Sequence, residues 1–350
     1  MREPPPNLPA AVQHVPTMII DVFNHFVPRK YLERIAPLIP GQPAVTLFPT
    51  LPAIIDVEAR LRLLDEFDGL QQVLTLANPP IELVAPPDAS PELARIANDE
   101  LAEICRKHPD RFATFAASLP MNNVEATLQE MDRAIDQLGA RGVQIFTNVC
   151  GKPLSEPEFR PVFQRMAEHD LPVWIHPMRG PNFSDYAFEK SSEHEIWFSF
   201  GWPYETTACM TRLIYSGIFD ELPNLKIISH HMGGMIPFFS SKINLGFKQI
   251  FFGTPERNPV AEEAKLKKHP REYYKMLYAD TALSGEEAPT RCGLAFFGID
   301  KVVFATDAPF DSEQGRGLIR DTIRGVKALG LPKDQLDRIL SGNARALMRL

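Results

Sequence analysis

Cysteine is scarce and scattered: Cys105, Cys150, Cys209 and Cys292 are the four in 350 residues, and none forms a CxxC pair. Such spacing excludes a disulfide framework and a thiolate zinc site, and it fits a reducing cytoplasm. Positive charge is also in deficit, since 37 Lys and Arg against 44 Asp and Glu leave a net charge of −7. A nucleic-acid groove needs a basic surface to displace counterions, so that partner class is excluded. Apolar runs such as Val302 to Ala305 fall far short of the roughly 18 residues of a membrane span. No signal peptide is expected either, because Met1 to Pro16 holds five prolines and no continuous apolar block. Residues 1–16 read as a flexible or wrapping arm. What remains is 44% apolar and 23% charged, the make-up of an ordinary globular chain.

From residue 17 to 350 short β-rich apolar runs alternate with longer helix-period segments. The predicted strands are Met18 to Val22, Gln72 to Leu76, Ala113 to Ala117, Gly142 to Thr147, Pro172 to His176, Lys226 to Ser229, Met276 to Asp280 and Lys301 to Thr306. The predicted helices are Ala59 to Phe67, Pro91 to Lys107, Asn123 to Leu138, Glu156 to Glu168, Tyr204 to Ser216, Pro237 to Phe252, Glu286 to Phe297 and Gly315 to Leu329. Eight such alternations imply parallel strands joined by right-handed crossovers, hence an α/β chain folded as a distorted TIM (β/α)8 barrel in one domain. A doubly wound open sheet is the structural rival. Ser90 and Ser155 stand as candidate helix caps. Two insertions, Pro28 to Pro52 and the aromatic-rich Met178 to Pro203, follow strand ends and would wall a pocket at the C-terminal face.

Four histidines fall at strand ends: His25, His176, His230 and His231, with Asp307 closing the last strand. Imidazole and carboxylate at the carboxyl ends of barrel strands can converge on one point, and they are the ligand set of Zn²⁺, Mn²⁺ or Fe²⁺. Side chains alternate along a strand, so 21, 23 and 25 share one face and Asn24 points the other way. A site of this type would place a second histidine at position 23, where Phe23 cannot ligate. Water could fill that gap, the site could be metal-free, or Asp21 could turn inward. By the same alternation only one of His230 and His231 faces the mouth, where a histidine beside a carboxylate is a natural general acid or base. Arg179, and Arg60 or Arg62, are candidates to hold a substrate carboxylate through a bidentate fork. Phe23 and Trp202 would add apolar surface.

Ile20-Asp21-Val22-Phe23-Asn24-His25-Phe26 resembles the opening metal motif of the amidohydrolase superfamily, in the branch called amidohydrolase 2. That branch includes aminocarboxymuconate semialdehyde decarboxylase and the γ-resorcylate and 5-carboxyvanillate decarboxylases. Leu171 to Pro177, His231-Met232-Gly233-Gly234, Thr306-Asp307-Ala308-Pro309 and Gly342-Asn343-Ala344 resemble it in order, nearly to full length. The resemblance implies a single divalent ion on His25, His176 and Asp307, with Zn²⁺ ahead of Mn²⁺ or Fe²⁺, and His231 as the acid–base residue. Phe23 departs from the family pattern, and some members of the wider superfamily work without a metal.

The leading expectation is therefore a metal-dependent, non-oxidative decarboxylase acting on a small aromatic or unsaturated carboxylate, with His231 and Asp307 catalytic. A hydrolase or hydratase working through bound water is the alternative, and a metal-poor subunit partnering a catalytic relative is the third. A homodimer or hetero-oligomer is expected through the arm or through the last helices, Leu329 to Leu350.

Overall fold

A computed structural model describes residues 18–254 and 256–350, so the whole arm at 1–16, with His14, lies outside the described residues. Eight barrel strands follow in chain order. They are β1 (Ile19–Asp21), β2 (Leu70–Leu76), β3 (Phe112–Phe115, resumed after Ala116 as Ala117–Ser118), β4 (Val143–Phe146), β5 (Pro172–His176), β6 (Lys226–Ser229), β7 (Tyr278–Asp280) and β8 (Val302–Val303). Each pairs in parallel with the next around the sheet. The ring closes where Val22 N donates to Phe304 O at 2.9 Å and Asp307 N to Phe23 O at 3.1 Å. The open-sheet rival is thereby set aside.

The principal helices are α1 (Val57–Leu64), α2 (Ser90–Lys107), α3 (Val124–Asp136), α4 (Arg160–His169), α5 (Gly201–Tyr215), α6 (Ser240–Phe252), α7 (Glu287–Phe297) and α8 (Arg316–Ala328). Each overlaps its predicted segment, because an apolar stripe at helical spacing has to be buried against the sheet, except in α6, whose Leu245, Ile250, Phe251 and Phe252 stay exposed. Asp56 and Asn123 cap α1 and α3 by accepting from Ala59 N and Ala126 N. Ser90 is not a cap. It sits inside α2, and its hydroxyl donates to Asn122 Oδ1 at 2.6 Å.

Inside the ring Ile20, Val22, Phe23, Val73, Ala116, Trp174, Ile228 and Val303 pack with Ala344, Leu347 and Met348, so the last helix plugs the barrel. Its apolar face is consumed there, and the expected docking of Leu329 to Leu350 on a neighbour loses that surface. The first insertion folds as a small core of its own, in which Tyr31, Ile35, Ala44 and Phe48 pack against Leu93 and Ala97 of α2. In the second, Phe183, Tyr186, Phe188, Phe198 and Phe200 remain exposed. Trp202 is the member that reaches the histidines at the mouth.

The connection after β2 buries a carboxyl. Burial raises Glu82 from 4.5 to about 7, and its Oε1 has no hydrogen-bond partner. Below pH 4.5 folded and unfolded chains both hold this proton; between pH 4.5 and about 7 the unfolded chain releases it while the fold retains it. Stability should therefore fall across that window, by at most about 3 kcal/mol from this group. Urea midpoints at pH 5 and pH 8 should differ less in Glu82→Gln than in the native chain; an equal drop in both would exclude Glu82 as the source.

Candidate active site

β1 continues past Asp21 into a second short pairing, His25–Phe26 beside Thr75 and Leu76 of β2. Between the two pairings Asn24 turns away from the mouth, as alternation predicts, and donates to Val73 O at 3.0 Å. Asp21 cannot swing in as a ligand. Its carboxylate accepts from Phe23 N, Thr306 N, Thr306 Oγ1 and Gln72 Nε2 at 2.7–3.2 Å. His25 faces the mouth and its Nε2 lies 2.8 Å from Asp307 Oδ1. His176 closes β5 with its Nδ1 2.6 Å from Pro177 O, which leaves a buried Nε2 without a partner.

The chain after β6 departs from strand geometry. Ser229 leads into a single turn, His230–Gly233, in which His231 and Met232 adopt left-handed φ of 50° and 54°. Non-glycine residues rarely adopt that conformation, and it concentrates at functional sites. Its hold here is the bond from His231 N to Asp280 Oδ1 at 3.0 Å. The expectation that only one of the two histidines faces the mouth is thereby overturned, because alternation ends with the strand. Both rings join one cluster, 4.8 Å apart, and His176 lies 5.1 Å from His230 and 6.4 Å from His231. His231 Nε2 is 3.5 Å from Asp307 Oδ2, so one carboxylate spans His25 and His231.

Electrostatics separate the roles. Burial works against ionising Asp307, but hydrogen bonds from His231 and His25 outweigh it and hold the carboxyl well below the usual range. Burial likewise opposes protonation of His231, and the bond to Asp307 with the charges of Asp307 and Asp280 reverses the balance, raising it above 6.5. His176 is pulled well below 6.5 by burial and by the neighbouring histidines, so it is a neutral imidazole. A low carboxylate, a neutral imidazole and a protonatable one stand side by side, which is the division of labour acid–base chemistry requires.

The walls are aromatic. Phe23, fully buried, stacks toward His176 at 5.7 Å, Trp202 meets His176 at 5.1 Å and His231 at 6.4 Å, and Phe310 meets His25 at 4.9 Å. Phe48 of the first insertion backs Phe310 at 5.3 Å. Arg179 is tied to the same wall: its carbonyl accepts from Trp202 Nε1 at 3.0 Å, and its guanidinium pairs with Glu205 at 2.9 Å. Arg60 is elsewhere. It is wholly buried behind β1, where Nε donates to Ala53 O at 2.6 Å, Nη1 to Asn24 and Gln72, and Nη2 to the His25 carbonyl. Those bonds commit the guanidinium that was expected to hold a substrate carboxylate, and they leave it supporting the His25 turn. Sequence reasoning admitted only one of His230 and His231 to the cluster, and it missed Asp280, at the end of β7.

The donor chemistry fits a divalent ion: a partnerless, neutral nitrogen on His176, the His25 imidazole and an ionised Asp307. Among the described residues no three such side chains already stand grouped at ion-holding distance. Binding therefore requires His25 and Asp307 to exchange their mutual hydrogen bond for the ion.

A parallel (β/α)8 barrel with a histidine–aspartate cluster at the carboxyl ends of its strands defines a class of barrel enzymes whose chemistry sits in that mouth. The amidohydrolase family profile matches residues 49–350, and the chain belongs to that family. It is 30% identical over 295 residues to 2-amino-3-carboxymuconate-6-semialdehyde decarboxylase of Dictyostelium discoideum, covering 84% of this chain and 77% of that protein. It is 30% identical over 301 residues to gamma-resorcylate decarboxylase of Rhodococcus jostii, covering 83% and 87%. Among solved structures, dihydroxybenzoic acid decarboxylase from a Polaromonas species, with bound manganese and the inhibitor 2-nitroresorcinol, superposes with a TM-score of 0.77. Identity there is 26%, over 95% of this chain and 97% of that one. The protein is an enzyme, an amidohydrolase-related carboxy-lyase or hydrolase. No helix among the described residues is long and apolar enough to cross a membrane.

Proposed function

We propose that the protein is a divalent-metal-dependent, non-oxidative decarboxylase of an aromatic or unsaturated carboxylate. The observation that carries this reading is the meeting of His25, His176, His231 and Asp307 at one end of the barrel, in a chain similar to several decarboxylases. His25, His176 and Asp307 would hold the ion. Bound there, the ion would supply Lewis acidity at a substrate oxygen and positive charge against the carbanion left as carbon dioxide departs. Mn²⁺ is the first ion to test, because a similar structure contains it, ahead of the Zn²⁺ expected from sequence.

His231 supplies the proton. When the bond to the carboxylate carbon breaks, its electron pair stays on the substrate carbon, and the proton on His231 Nε2 moves to that carbon in place of carbon dioxide. Asp307 keeps His231 protonatable and aimed, and the next solvent proton restores it. Trp202 presents an apolar face to the substrate ring, which the wholly buried Phe23 does not reach, while Arg179 engages its carboxylate by exchanging Glu205 for it. A dimer remains part of this proposal, through the exposed Phe238 and Phe252 rather than the last helices.

The test uses 2,6-dihydroxybenzoate with the Mn²⁺-loaded enzyme, reading carbon dioxide and resorcinol. Equimolar release of both, abolished by chelation and restored by Mn²⁺, is expected. A ring-opened or hydrated product would assign the alternative, hydrolysis or hydration through bound water; less than one equivalent of ion after reconstitution would favour the metal-free subunit.

A further inference from the structure

His230 is the group in the cluster that the proposed reaction leaves unused. The residue is fully buried, neither of its ring nitrogens has an aligned hydrogen-bond partner, and its Nδ1 lies 2.7 Å from Asp280 Oδ2 as an ion-pair contact. Asp280 is itself fully buried, and its other oxygen holds the backbone of His231 and of Ala282 at 3.0 and 3.1 Å. A buried nitrogen without a partner forfeits the hydrogen bond it had in water, so such a group calls for a ligand.

A carboxylate on one ring nitrogen fixes the tautomer with its proton on that side and leaves a lone pair on the other, which is how metal-binding histidines are held. His176, 5.1 Å away, repeats the arrangement with the Pro177 carbonyl in the carboxylate's place. Two imidazoles thus stand together, each with its Nδ1 close to an oxygen and its Nε2 without a partner. Phe23 borders this group: its ring centroid lies 4.8 Å from that of His25 and 3.6 Å, edge-on, from that of His230, and it offers no donor atom.

We propose that His230 Nε2, on a ring whose centroid lies 5.1 Å from that of His176, supplies the divalent ion with the nitrogen donor that Phe23 cannot, and that Asp280 is its positioning residue. The donor enters from the end of β6 instead of β1. This rests on the ion-dependent reading above and adds a residue to it.

The ion alone is the probe, so the test reads nothing from turnover. Co²⁺ bound to the native protein should show three imidazoles in its X-ray absorption fine structure, for His25, His176 and His230. His230→Asn should weaken Co²⁺ binding about 100-fold and shift its visible spectrum, and Asp280→Asn should weaken it about tenfold. Adding Phe23→His to His230→Asn should recover most of the lost affinity, which a merely structural role for His230 would not allow. Two imidazoles in the native protein, or His230→Asn with unchanged affinity and spectrum, would overturn the assignment. The native absorption measurement decides the matter even where the variant does not fold. Three imidazoles together with no release of carbon dioxide would remove the decarboxylase reading alone.

Discussion

Replacing His231 with alanine should lower turnover by about a thousandfold, within the range expected when a positioned proton donor is lost. The far-UV circular dichroism and the ion content should stay as in the native protein, because His231 is assigned neither to the core nor to the ion. The proton donor must carry its proton, and the bond to Asp307 raises His231 above 6.5, so the native rate should decline only as pH climbs past that value. Measured kcat for carbon dioxide release, as a function of pH, checks both statements. Retention of most activity in His231→Ala would take His231 out of the proton-transfer step.

Arg60→Ala should destabilise the fold by about 3–5 kcal/mol, the scale on which removing one member of a buried charged network acts. The guanidinium bridges α1, the Asn24 side chain, Gln72 of β2 and the carbonyl of His25, and burial lowers it only to about 10, so it is cationic at neutral pH. Truncation leaves those acceptors buried and unpaired. Arg60→Lys should recover less than half of the loss, since a single ammonium cannot reproduce the planar fork. Denaturant midpoints measure both. A loss below about 1 kcal/mol would mean that water replaces the guanidinium, and the claim that Arg60 props the His25 turn would fall.

Much of the architecture was legible because it rests on local rules. Pro172–His176 and Lys226–Ser229 coincide with their predicted strands, since short β-rich runs bounded by turn residues have little else to become. The convergence of His25, His176 and Asp307 was legible for a related reason: a ring of parallel strands brings every carboxyl end to one rim. His231 was legible only as one of two neighbours. Alternation assigned the pair to opposite faces, and the left-handed turn that brings them together is held by Asp280, 49 residues further on. Arg60 was misplaced because an arginine's partners are set by what packs over it, and nothing near it in sequence signals Ala53, Asn24 or the His25 carbonyl.

The sequence by itself determined the strand–helix alternation, the closed barrel and the rim on which the histidines stand, because hydrophobic period and turn chemistry act over a few residues. Only the tertiary structure decided which imidazole nitrogens are spent and which remain open, which arginine is buried, and which aromatics reach the mouth. Those outcomes depend on hydrogen bonds and burial between segments far apart in the chain, such as the 2.8 Å contact joining His25 to Asp307.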